Sequence, residues 1–273
     1  MWKKTVGFGK ELFQRISNDD IAGVAAQLAY FLLLSLFPFL LFLMTLLGYL
    51  PLDSGNVTGF IERYAPGEIN ELINENVSEL VNNQSGSLLS IGIIGTLWAA
   101  SNGVNAIMKG FNRAYKVEED RSFIVMRLIA IALTIAMVLV ISIAFLLPVF
   151  GKMIGEFIFS FIGMSDSFLA VWDTLRWGVS SVVIYIVLLA LYRLAPNMRI
   201  YFKNVAWGAL FATMGWQLAS LGFSFYVNSM GDYSATYGSL GTVIVLMIWF
   251  YLSGIIIMIG GVINAMLREK RLT

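Results

Sequence analysis

The chain has 273 residues, 58% of them hydrophobic and only 13% charged, with a mean hydropathy of +0.78; a soluble domain carries about 25% charge. It contains no cysteine and no histidine. A disulfide framework and a thiolate metal site are therefore excluded, and the commonest general base and metal ligand are missing. A net charge of +1 gives no global attraction to nucleic acid.

Residues 1–20 read as a short cytoplasmic interfacial helix. Val6, Leu12, Phe13 and Ile16 give it an apolar side, and Lys3, Lys4, Lys10 and Arg15 suit anionic headgroups. Ser17-Asn18-Asp19-Asp20 is a good cap for the next helix. The first apolar run starts near Ile21 and exceeds the roughly 7–15 residues of a signal-peptide core.

Six segments approach or exceed the ~20 residues that a helix needs to cross a bilayer: 24–50, 87–108, 123–150, 174–194, 204–228 and 238–266. In the first, Gln27, Tyr30, Pro38 and Thr45 align, and Pro38 removes a backbone hydrogen bond. The loop 51–86 carries Asp53, Glu62, Glu68, Glu71, Glu75 and Glu79 against one arginine. After Pro66-Gly67 its apolar residues recur at helical spacing, giving an amphipathic helix with an acidic face. That helix either caps the bundle's external mouth or lies passively on the surface.

In the second segment Ser87, Trp98, Ser101, Asn102, Asn105, Lys109 and Asn112 fall on one side. Glu118-Glu119-Asp120 comes next, either a carboxylate run for a metal or a solvated turn. Asp173 and Arg176 stand near the start of the fourth segment and are spaced to pair. The fifth has two special faces. Gly208, Ala212, Gly215, Ala219 and Gly222 share one, and Thr213, Gln217, Ser220, Ser224 and Asn228 the opposite one. Small residues admit a neighbouring backbone closely, and a polar face needs partners or water. In the sixth, Thr242, Trp249, Ser253, Gly260 and Asn264 align.

Fifteen of the eighteen cations lie before the first segment, around the second-to-third and fourth-to-fifth connections, and after the last. Cytoplasmic loops retain Lys and Arg. The sequence thus predicts an all-α polytopic membrane protein: one six-helix domain over 1–273 with both termini cytoplasmic. No Asp or Glu lies in the middle of a segment, which weighs against a simple proton antiporter. Sodium coupling through carbonyls and amides stays open.

Two readings of the polar stripes remain. One is interhelical hydrogen bonding that holds a bundle together. The other is an uncharged groove between segments one, two, five and six, lined by Tyr30, Trp98, Asn102, Asn105, Gln217, Asn228, Tyr237 and Asn264. Pro38, Pro196 and Gly238 would shape its backbone. Arg113, Arg127, Arg193, Arg199 and Lys203 would ring its cytoplasmic end, with Arg127, Arg193 and Lys203 able to snorkel. They either hold a phosphate headgroup or serve topology.

Several local patterns resemble the YihY/BrkB family of bacterial inner-membrane proteins. They are Ala26-Gln-Leu-Ala-Tyr30 with Ser35-Leu-Phe-Pro38, and Trp98-Ala-Ala-Ser-Asn-Gly103 followed by Phe111-Asn-Arg-Ala-Tyr115. Tyr192-Arg-Leu-Ala-Pro196, Tyr237-Gly-Ser-Leu-Gly241 and Gly260-Gly-Val-Ile-Asn264 complete them. The resemblance implies six transmembrane helices in a bacterial cytoplasmic membrane. It supplies no settled function, although members have carried "ribonuclease BN" and "virulence factor" labels. A ribonuclease fits this sequence badly: it has no histidine, no soluble catalytic domain and no basic aromatic surface for RNA. The expected function is a transporter or lipid translocase rather than an enzyme, with no cofactor. Membrane lipids and a lipid or small-molecule substrate are its expected partners. A small-solute or ion exporter and a non-enzymatic scaffold using the acidic external helix are the alternatives.

Overall fold

The computed structural model describes residues 2–47, 85–139, 166–229 and 239–272. Seven helices fill them: α1 Trp2–Asn18, α2 Ile21–Leu47, α3 Gly86–Tyr115, α4 Phe123–Leu139, α5 Asp166–Leu194, α6 Phe202–Ser229 and α7 Ser239–Leu272. Each of the six expected segments coincides with a helix where it is described. Among the described residues, three helices are long and apolar enough to cross a membrane: Ile21–Phe42, Gly86–Tyr115 and Val243–Lys270. The expected amphipathic helix in 51–86 falls almost wholly outside the described residues.

Helix ends obey the local chemistry. The turn between α1 and α2 places Asp20 at φ 53°, a conformation that Asp tolerates better than most side chains. Its carboxylate accepts the Gly23 amide at 3.3 Å, so Asp20 is the cap of α2. A carbon added at Gly23 would strike that carboxylate. α3 runs seven residues past the expected end at 108, and Lys109 and Arg113 complement the carbonyl end of its dipole. It stops in a Schellman turn. The Val117 amide reaches the Asn112 carbonyl at 2.9 Å, the Lys116 amide reaches that of Arg113 at 3.0 Å, and Lys116 takes φ 56°.

The chain divides into two compact units, Leu32–Ala100 on one hand and Met1–Phe31 with Ser101–Thr273 on the other. In the smaller unit α2 continues through Pro38 without a break. α2 and α3 cross there at two glycines: a Cβ at Gly92 would lie 2.8 Å from the Phe42 amide nitrogen, and one at Gly95 3.0 Å from Pro38. Ser35, Thr45 and Thr96 donate to carbonyls three or four residues back in their own helices. All three hydroxyls, of which Thr45 belongs to the first segment's stripe, are satisfied locally.

The larger unit holds a core of Ile21, Ala25, Leu28, Ile107, Met108, Phe111, Leu191, Val205, Met258 and Val262, all nearly inaccessible. Phe111 and Tyr192 pack with ring centroids 5.3 Å apart. Outside it, apolar side chains that include Phe123, Ile124, Leu128, Leu218 and Phe225 are exposed. In water so much exposed apolar surface is a liability; in hydrocarbon it costs nothing.

Candidate functional site

The polar side chains of the larger unit fall into three groups. In the first, Arg127, the fifth residue of α4, donates from Nη1 to Oδ1 of Asn102 at 2.6 Å. Asn102 stands thirteen residues before the end of α3, about 20 Å at 1.5 Å per residue. The guanidinium thus has an amide acceptor on α3 within reach, a partner that the sequence alone does not indicate. Asn105, one turn further along α3, has a buried Oδ1 with no partner among the described residues.

The second group joins α5, α6 and α7. Gln217 donates to Ser181 Oγ at 2.6 Å, so the polar face of α6 meets α5, a helix outside the four expected to frame the groove. The hydroxyls of Ser180 and Ser220 are buried without a partner among the described residues. The small face meets α7: Asn264 Oδ1 accepts the Gly208 amide at 2.7 Å, and Trp216 donates to Ser253 Oγ at 3.1 Å. Tyr192 reaches from α5 to the Ile257 carbonyl at 2.8 Å. Asn264 is completely buried, and its Nδ2 has no partner among the described residues.

The third group lies at the basic helix ends. Arg113 donates to the Asp19 carbonyl at 3.3 Å and lies 4.0 Å from the Asp20 carboxylate. Arg193 stacks 3.8 Å above the Phe202 ring, and Lys203 stands 5.9 Å from that of Tyr201. Arg199 is exposed. α1 is latched to these ends: Arg15 pairs with Glu11 and Glu269, Lys116 with Glu269, and Lys270 with Glu11. The C-terminal ends of α3 and α7 and the N-terminal helix thus share one face of the larger unit.

Among the other expected site residues, Tyr30 is exposed, and Trp98 is exposed in the smaller unit. Pro196 is buried in the α5–α6 turn. Tyr237, Gly238 and the side chain of Asn228 lie outside the described residues.

Sequence reasoning missed a clasp between the α3–α4 and α5–α6 connections. Arg121 holds both oxygens of Glu119 at 2.6 Å and donates to the Ala195 carbonyl at 3.0 Å. Asn112 joins the two sides, donating to Glu119 at 2.8 Å and accepting the Asn197 amide at 2.7 Å. The Asn197 side chain donates to the Glu118 carbonyl and to Asp120. The acidic run is exposed, as the solvated-turn reading expects, and it also fastens two loops. The available signal was Arg121 directly after three carboxylates, but its carbonyl partners at Leu194 and Ala195 lie more than seventy residues away.

The Arg121 guanidinium and the Asn112 amide hold the Glu119 carboxyl below its ordinary 4.5. A depressed folded value stabilises the protein above the ordinary one, and that contribution is lost as pH falls through the folded value. The unfolding midpoint in detergent should therefore lose this component only below about pH 4.5. In Glu119→Gln that step should be missing from the midpoint-against-pH curve.

A chain whose described residues form helices, several of spanning length and apolar, with many exposed apolar side chains, is a helical membrane protein. The family model "Virulence factor BrkB" matches residues 12–273, and the chain belongs to that family. The ribonuclease-like protein YfkH of Bacillus subtilis (strain 168) is 54% identical over 97% of each chain. A UPF0761 membrane protein of Idiomarina loihiensis is 28% identical over 99% of this chain and 95% of its own. One of Vibrio parahaemolyticus is 29% identical over 97% and 83%. No solved structure matches the chain.

Proposed function

We propose that the protein is a transporter, most specifically a lipid translocase, of a bacterial cytoplasmic membrane. In this reading the six helices α2 to α7 cross the bilayer, and both termini face the cytoplasm. The charge distribution supports that orientation, because Lys and Arg concentrate at the helix ends to which α1 is latched.

One observation carries the transport reading. Asn105, Ser180, Ser220 and Asn264 each bury a polar atom that no described residue satisfies. An unsatisfied polar group in hydrocarbon costs several kcal/mol. A static bundle gains nothing from keeping four of them, whereas a path for a polar headgroup or solute does. The path we infer runs along the amides of α3 and the Gln217–Ser181 seam of α5 and α6, with the acyl tails left in lipid. Asn264 and Tyr192 hold the helices beside it. The "ribonuclease-like" name of the Bacillus relative adds no reaction, because the chain offers no histidine for one.

The test is a reconstituted vesicle assay with labelled phospholipid. Proteoliposomes should scramble the label faster than protein-free vesicles. Gln217→Leu should slow scrambling at least threefold while the protein stays folded. Equal scrambling with and without protein would overturn the translocase reading.

A further inference from the structure

The cations at the helix ends of the larger unit fall into two sets. Arg15, Lys116, Arg121 and Lys270 each lie against a carboxylate, and Arg113 is taken up by Asp19 and Asp20. Arg193, Arg199 and Lys203, around the turn from α5 to α6, make no ion pair among the described residues. The chain near them supplies no counter-charge, since no Asp or Glu occurs between Thr174 and Gly231. Asp120 reaches this turn from the α3–α4 connection, but it accepts the Asn197 side chain.

Arg193 is held in place without being neutralised. Its guanidinium carbon lies 3.8 Å above the Phe202 ring centroid, so one face of the fork is covered while its N–H edge stays open. Lys203 stands 5.9 Å from the Tyr201 ring. Tyr201, Phe202 and Leu194 are all exposed. A cation in the last turn of α5 also suits that helix's dipole, but the dipole gives no reason for two exposed aromatic rings beside the cations. Such rings settle at the headgroup level of a bilayer, where neighbouring Lys and Arg meet lipid phosphate. A free phosphate would use the cations and leave the exposed apolar side chains idle.

We propose that the α5–α6 turn is a docking site for an anionic phospholipid headgroup. Arg193, positioned by Phe202, and Lys203 hold the phosphate, Arg199 adds charge, and Tyr201 and Leu194 lie against the apolar part of the lipid. The site rests on α5 and α6 crossing the bilayer but not on transport. Gln217 of the proposed path stands fifteen residues beyond Phe202 on α6, about 22 Å away.

Native mass spectrometry of the full chain in detergent, titrated with phosphatidylglycerol or phosphatidylcholine, tests the proposal. Wild type should hold phosphatidylglycerol at least tenfold more tightly. Each basic residue facing an anionic lipid contributes about fivefold. Arg193→Gln with Lys203→Gln should therefore weaken phosphatidylglycerol at least tenfold and phosphatidylcholine less than twofold. Phe202→Leu changes no charge, yet freeing Arg193 should weaken phosphatidylglycerol about threefold. Lys10→Gln with Lys109→Gln removes the same charge from exposed positions on α1 and α3 and should cost less than threefold. Melting midpoints check that each variant is folded. Equal retention of the two lipids by wild type, an unchanged affinity in Phe202→Leu or in the Arg193–Lys203 pair, or the same loss in the Lys10–Lys109 pair would overturn the proposal. Inorganic phosphate that raises the melting midpoint through Arg193 and Lys203, with no preference between the lipids, would make this a free-anion site and overturn the lipid assignment. Lipid retention without scrambling would overturn only the transport reading.

Discussion

Gly260→Ala should lower the unfolding stability by about 3 kcal/mol, the upper end for inserting one carbon into a packed interior. A Cβ at Gly260 would run into the Tyr192 hydroxyl and lie 2.8 Å from the Gly208 carbonyl oxygen. The second obstacle is backbone, so it cannot swing aside. The first is the hydroxyl that donates to the Ile257 carbonyl at 2.8 Å, and displacing it leaves a buried donor without its acceptor. Gly208 has the same problem from the other side, since a Cβ there would run into the Gly260 carbonyl and the Asn264 amide. The effect should be site-specific. Gly222 shares the small face but has nothing within 4 Å, so Gly222→Ala should change stability by no more than about 0.5 kcal/mol. Tyr192→Phe removes one of the two obstacles, and the double variant with Gly260→Ala should lose less than the sum of its parts. Thermal unfolding in detergent measures all four proteins. Equal losses at Gly260 and Gly222 would mean that the small face does not meet α7 through Gly208 and Gly260.

The same crossing separates local from long-range information in a sequence of this kind. The spacing Gly208, Ala212, Gly215 is periodic, so it announces a close helix contact before any fold is known. The identity of the contact is another matter. Gly260 and Asn264 stand on their own stripe in α7, and nothing local pairs that stripe with Gly208 rather than with α3. Helix positions were legible for a similar reason, because hydrophobic runs and cationic ends are local signals. The extension of α3 to Tyr115 was not, because Lys109 and Arg113 suit a loop as well as a helix end. Arg127 shows the same limit. Near a helix end, an arginine snorkels unless a polar group inside the protein competes, and Asn102 becomes that competitor only once α3 and α4 are packed. Gln217 was expected to face a groove; its partner Ser181 sits in a helix whose sequence carries only a short Ser-Ser signal.

The clasp around Arg121 leads to the second large effect, and to a way of separating stability from function. Arg121→Ala should cost about 2–3 kcal/mol, less than a fully buried pair because the clasp is partly solvated. It removes both bonds to Glu119 and the donor to the Ala195 carbonyl. That carbonyl lies just past the end of α5, where the helix has no donors of its own and a cation is favoured. Arg121→Lys should recover little, since a point charge cannot hold a carboxylate on two edges and a carbonyl together. Asn197 fastens the same two loops through Glu118, Asp120 and Asn112, so Arg121→Ala and Asn197→Ala should be coupled rather than additive. Unfolding midpoints give the energies, and proteolysis between 116 and 122 reports whether the loop is released. If the proposed path opens on this side, the clasp must part each time it does. Arg121→Ala would then raise lipid scrambling per folded molecule even as it lowers stability. A path whose moving parts lie elsewhere predicts an unchanged rate per folded molecule. The clasp variant therefore locates the gate, whereas a variant in the polar seam can report only that a path exists.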